Sequence, residues 1–125
     1  MELKQVVVNG LLTRYGRKGK GGKVLLLHGW GDSLATFHEL ADALSKSHEV
    51  IAVDLPGFGQ TQAPPVAWGL DDYVDFINAF SNKIELDGVE TVIGHSNGGA
   101  IAIRLLAGGY RSKRLVLLAS AGIRD

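Results

Sequence analysis

VIGHSNGGAIAIRLLA, residues 92–107, passes from an apolar run through a glycine-rich turn into a segment that is apolar nearly all round. That order predicts a buried strand, a sharp turn and a helix lying on a sheet, and Gly108-Gly109 should end the helix. The turn holds a G-x-S-x-G pentapeptide, Gly94 to Gly98. Between a strand and a helix, this pattern places the serine on a strained turn with its Oγ exposed. Side chains at 94 and 98 would collide with neighbouring backbone. The helix N-terminus points at the same place and favours developing negative charge. Ser96 is therefore the candidate nucleophile, and the backbone N–H of Asn97 is the first candidate oxyanion donor.

Working outward, short unbroken apolar runs recur at Val24–Leu27, Val50–Val53 and Leu115–Leu118. Unbroken runs suit strands buried on both faces, as in a parallel sheet. Helical spacing lies between them. Leu34, Phe37, Leu40, Ala41 and Leu44 form one apolar stripe, and Tyr73, Phe76, Ile77, Phe80 and Ile84 a stronger one. Asp71 and Asp72 fall in the first turn of the second, where carboxylates suit the helix dipole. Ahead of this alternation, Val6–Val8 and Leu11–Thr13 flank Asn9-Gly10, which predicts a tight hairpin over the first sixteen residues. Residues 16–23 (GRKGKGGK) are expected to form a basic surface loop, and residues 60–69 an irregular stretch held out of regular structure by Pro64-Pro65. The expected architecture is α/β: a hairpin leading into a mostly parallel sheet of about six strands with three helices, as a single domain over 1–125.

In such a sheet, ligands bind at the carboxyl ends of the strands. Three glycine-bearing turns fall there: His28-Gly29-Trp30-Gly31, Asp54-Leu55-Pro56-Gly57-Phe58-Gly59, and Gly94 to Gly99. The first should supply the second oxyanion donor, the N–H of Trp30. Composition removes other chemistries. Thirteen basic and thirteen acidic residues cancel, so there is no general electrostatic case for nucleic acid or an anionic membrane. The chain has no cysteine, which excludes disulfides, thiolate metal sites and a cysteine nucleophile. No histidine–carboxylate spacing suggests a metal. The GRKGKGGKV stretch is no phosphate loop, because Arg17 and Val24 stand where glycine and Ser or Thr are needed. No cofactor is expected. With neither a basic apolar leader nor a membrane-length run, a cytoplasmic protein is the default expectation.

HGWGDS (28–33), DLPGFGQT (54–61), GHSNGG (94–99) and LVLLASAG (115–122) together resemble the N-terminal half of an α/β-hydrolase. That family includes esterases, carbon–carbon bond hydrolases, epoxide hydrolases and proline iminopeptidases. The resemblance covers essentially the whole chain. It departs at Asn97, where the family often has Met or Gln, and at Thr61, where it often has Ser. It implies supporting roles for His28, Gly29, Asp54, Gly94, His95, Gly98 and Gly99. A serine rather than an aspartate at 96 implies the ester-type branch, with ester, amide or C–C bond hydrolysis of a small molecule by acyl transfer.

A serine nucleophile needs a base and an orienting acid, which in this fold follow it in the chain. Only 29 residues follow Ser96, and His28, His38, His48 and His95 all precede it. Asp125 is the only later acid. The expectation is a truncated or split enzyme, weakly active or inactive alone, whose lid, triad acid and histidine lie elsewhere. A non-catalytic half-fold serving as a binding or assembly module is the alternative. In either case the last strand should present an open edge, favouring self-association or a complementing C-terminal fragment through residues 114–122.

Overall fold

The computed structural model describes residues 1–119. Its strands are β1 (Glu2–Val8), β2 (Leu11–Lys18), β3 (Gly22–Leu27), β4 (His48–Val53), β5 (Val89–His95) and β6 (Ser112–Leu118). The helices are α1 (His38–Leu44), α2 (Leu70–Lys83) and α3 (Asn97–Ala107), with a 3-10 turn over Leu34–Phe37 entering α1. The sheet order is β1-β2-β4-β3-β5-β6. The β1–β2 hairpin joins β4 antiparallel, and β4, β3, β5 and β6 run parallel. This is the hairpin-led, mostly parallel six-stranded α/β sheet with three helices that the alternating apolar runs predict.

The hairpin closes between Val8 and Leu11 around Asn9 at φ 47 and Gly10 at φ 83, the double positive φ that an Asn-Gly turn provides. It extends further than expected. Residues 16–23 do not form a loop: β2 continues to Lys18, β3 begins at Gly22, and only 19–21 remain as the turn. All of the basic residues in this stretch except Lys20 are held in the sheet. Arg17 and Lys18 pair with Ile51 and Val50 of β4, and their side chains meet Glu49 and Asp42.

Two cores sandwich the sheet. Phe76, Ile77 and Phe80 of α2 and Ile101, Ala102 and Leu105 of α3 pack with Leu25, Leu27, Ile51, Val53 and Val92 on one face. Leu34, Phe37 and Ala41 cover Val24, Leu26, Val50, Ala52 and Ile93 on the other. Asp71 and Asp72 lie in the first turn of α2, and Asp72 Oδ2 accepts the Gly69 N–H at 2.8 Å. Among the described residues β6 pairs on one side only, and its Val116, Leu117 and Leu118 are 38%, 51% and 37% exposed. No described helix is long and apolar enough to cross a membrane.

Candidate active site

The parallel strands β3, β4 and β5 bring the three glycine-bearing turns to one rim. At the end of β5, Ser96 has φ 57 and ψ −119 and leads directly into α3. That conformation is uncommon for a non-glycine residue and marks a strained turn. Ser96 makes no side-chain capping bond to α3, so its hydroxyl is not consumed in starting the helix. Its N–H is held by the Leu118 carbonyl at 3.1 Å, and its own carbonyl accepts the Gly99 N–H at 2.9 Å.

The neighbouring glycines are required by close backbone approach. A Cβ on Gly94 would lie 2.5 Å from the Gly98 carbonyl oxygen and 2.6 Å from Gly99 Cα. One on Gly98 would strike the carbonyl oxygens of Leu27 and His28 at the end of β3. One on Gly29 would sit 3.0 Å from Ser96 Cβ and 3.5 Å from its Oγ. The backbone of the 28–31 loop therefore lies directly against the serine.

His28 is fully buried and ties two of the turns together. Its Nε2 accepts the Leu55 N–H at 2.9 Å, so the ring proton lies on Nδ1, which donates to the Gly29 carbonyl at 2.7 Å. Desolvation by burial pushes its pKa below the ordinary value. With both nitrogens engaged, the ring is a neutral brace and is not free to take a proton from Ser96.

Asp54, also fully buried, braces the same region. Its Oδ1 accepts the Leu34 N–H at 2.7 Å, and its Oδ2 accepts the Gln60 N–H at 2.9 Å and Arg14 Nε at 2.7 Å. Thr61 Oγ1 accepts the Arg14 N–H at 3.0 Å. Gly59, at φ 55, lies against the Asp54 carboxylate, where a Cβ would collide. Thr61 closes the DLPGFGQT motif, whereas Arg14 is a member of this brace that no local motif announces.

Trp30 stands 41% exposed at the rim. Its ring stacks on Phe58 at 5.3 Å and 12° and leans on Tyr73 at 4.9 Å. Its backbone N–H donates to Asn97 Oδ1 at 3.3 Å. The two candidate donors, on residues 30 and 97, thus belong to segments in direct contact.

The other histidines are placed elsewhere. The His95 side chain lies toward the α1 face, edge-on to Phe37 at 6.5 Å, with Nδ1 3.9 Å from Asp32 Oδ2. It is 23% exposed, so it is partly rather than wholly directed into the core. His38 is an exposed residue of α1 beside Asp42. His48 begins β4 at the opposite end of the sheet, near Glu90. Asp125 lies outside the described residues. Among the described residues no three His, Cys, Asp or Glu side chains are grouped to hold a metal ion.

A strand–serine–helix elbow on a mostly parallel sheet, faced by a His-Gly loop, defines a hydrolase-type scaffold. The profile of the α/β hydrolase fold matches residues 23–123, and the chain belongs to that family. It is 32% identical over 122 residues to the 2-hydroxy-6-oxo-6-(2'-aminophenyl)hexa-2,4-dienoic acid hydrolase of Metapseudomonas resinovorans, covering 94% of this chain and 42% of that protein. It is also 32% identical to the 2-hydroxy-6-oxo-2,4-heptadienoate hydrolase of Pseudomonas putida, covering 96% and 45%. Among solved structures it is similar to a meta-cleavage product hydrolase from Pseudomonas fluorescens (TM-score 0.85, 34% identity, 98% of this chain and 47% of that one). An epoxide hydrolase from Vigna radiata gives the same TM-score at 28% identity, covering 93% and 37%. The chain spans less than half the length of these curated relatives.

Proposed function

We propose that this chain is the nucleophile-bearing part of a serine hydrolase that cleaves an ester, an amide or an activated C–C bond by acyl transfer. The observation that carries this is Ser96 at φ 57 and ψ −119 between β5 and α3, with Gly29 against its side chain. In the first step Ser96 Oγ adds to the substrate carbonyl, its proton passing to the base that completes the site, and the N–H groups of Trp30 and Asn97 receive the oxyanion. A serine favours this over epoxide opening, where a carboxylate at the elbow would form the covalent ester. The similar dienoic acid and heptadienoate hydrolases make a conjugated keto acid one candidate substrate.

None of the four histidines is positioned as the base: His28 is doubly engaged, His95 faces Asp32, and His38 and His48 lie away from the elbow. The base, and the acid that orients it, are supplied from outside the described residues. The unpaired side of β6 is the surface at which a complementing segment or a second copy joins, within residues 114–122; positions 120–122 lie outside the described residues. The proposal includes a cytoplasmic setting, which fractionation of cells carrying a tagged copy would test.

Hydrolysis of p-nitrophenyl acetate by the purified protein tests the assignment. Slow turnover above the uncatalysed rate is expected, because Ser96 Oγ beside the oxyanion donors still forms an acyl intermediate slowly without its base. It should fall in Ser96→Ala to the smaller residual that oxyanion donors alone sustain. Equal turnover by Ser96→Ala would refute the role of Ser96.

A further inference from the structure

The Trp30 N–H is already hydrogen-bonded within the protein, and its acceptor is the side-chain carbonyl oxygen of Asn97, 67 residues later in the chain. A backbone N–H can only donate, so the amide oxygen of Asn97, not its nitrogen, must face it. The bond is 3.3 Å long, beyond the usual 2.9–3.0 Å or so for N–H···O contacts, and therefore weak. Asn97 is the first residue of α3 and Trp30 lies in the loop packed against Ser96. The side chain of Asn97 thus places a neutral carbonyl oxygen on the donor that the proposed reaction needs.

We propose that Asn97 is a positioning residue whose side chain occupies the Trp30 oxyanion donor until negative charge develops on the substrate. This rests on the serine-hydrolase assignment above. Exchanging one neutral carbonyl for another at this N–H gains little. Exchanging a neutral carbonyl for an oxyanion gains much more, because hydrogen bonds to a charged acceptor are roughly twice as strong. The donor is therefore withheld from a ground-state carbonyl and released to the tetrahedral intermediate. The same bond pins the 28–31 loop to the elbow, which keeps the two donors in register.

The test is 15N–1H NMR of the protein and its Asn97→Met, Asn97→Ala and Asn97→Asp variants, each titrated with phenylphosphonate as a tetrahedral anion. Met and Ala remove the acceptor, and two such variants guard against one misfolding; Asp retains an acceptor and adds charge. The Trp30 amide proton should move upfield in Met and Ala and return to, or downfield of, its original position in Asp. Phenylphosphonate affinity, read at the residue 30 and 97 amides, should rise about three- to tenfold in Met and Ala, the worth of one net hydrogen bond. It should fall below the original in Asp. An unmoved Trp30 resonance in both Met and Ala, or equal affinities across the variants, overturns the proposal. If Trp30 shifts as expected but phenylphosphonate perturbs neither amide in any variant, the bond stands and the oxyanion site beneath it fails, which overturns the hydrolase assignment and the proposal with it.

Discussion

Replacing Gly98 by alanine should destabilise the fold even though it adds a better helix former to α3. Glycine to alanine inside a helix gains roughly 0.5–1 kcal/mol on its own. At position 98 the new methyl would meet the backbone oxygens of Leu27 and His28. Leu27 cannot retreat, because β3 is held by β4 on one side and β5 on the other, with Leu27 opposite Val53 and Gly94. Overpacking of this kind costs about 1–3 kcal/mol, and rigid backbone on the receiving side argues for the upper end. Subtracting the helix gain leaves a net loss of about 2 kcal/mol, equivalent to a fall in Tm of roughly 6–12 °C for a domain of this size. Gly99→Ala is the internal control. Its methyl would make ordinary contact with the Gly94 carbonyl oxygen at 3.5 Å and press only on the tip of Leu117, Cδ2 at 3.3 Å, which can rotate away, so with the same helix gain of roughly 0.5–1 kcal/mol it should be neutral to slightly stabilising. Urea denaturation followed by far-UV circular dichroism measures both. Equal midpoints for Gly98→Ala and the unsubstituted protein, or equal losses at 98 and 99, would refute the close-approach argument.

Three further outcomes follow from the site and the sheet edge. His28 is held neutral by burial. Its unfolded form takes a proton below the ordinary value of 6.5 while the folded form resists, so its contribution is complete above that pH and is lost as pH falls toward the lowered folded value. Unfolding free energies from urea titrations should drop between pH 7.5 and 5.5 with a slope of at most about 1.4 kcal/mol per pH unit from this group, and a flat profile would contradict the brace. Asp54→Ala should cost about 2–5 kcal/mol, because it strands the Leu34 and Gln60 N–H groups and leaves Arg14 without its partner; a Tm within 2 °C or so of the original would show the brace to be dispensable. Sedimentation at micromolar concentration should reveal association through β6, weakened by Val116→Lys; a clean monomer with protected amides along Leu115–Leu118 would show that the edge is closed in another way.

Much of the fold could be read from the chain because its strands are continuous apolar runs and its turns carry residues with a backbone reason to be there. Asn9-Gly10, Gly94, Ser96 and Gly98 each imply a conformation that the structure contains. Residues 16–23 misled because glycine and lysine mark a loop and the charged end of a strand alike; what places Arg17 and Lys18 in β2 is pairing with β4, more than thirty residues away. The elbow was legible as a local motif. The Arg14–Asp54 contact and the Asn97–Trp30 bond were not, since each joins residues 40 and 67 positions apart with no periodicity to announce it. His28 could be placed at the rim from its motif, but its tautomer depends on the Leu55 N–H, which only the folded arrangement supplies.

The most direct measurement of whether Ser96 is the nucleophile is the site of a fluorophosphonate adduct, located by tandem mass spectrometry on the tryptic peptide spanning residues 84–104. Ser96 and Thr91 are the only hydroxyl residues in that peptide, so fragmentation assigns the adduct without ambiguity. A nucleophile on a formed elbow without its base predicts slow labelling, over hours, on Ser96 alone and none in Ser96→Ala. Adduct of the same amount on Thr91 or elsewhere in Ser96→Ala would contradict the assignment of Ser96, and rapid stoichiometric labelling of Ser96 would contradict the claim that its base lies outside these residues.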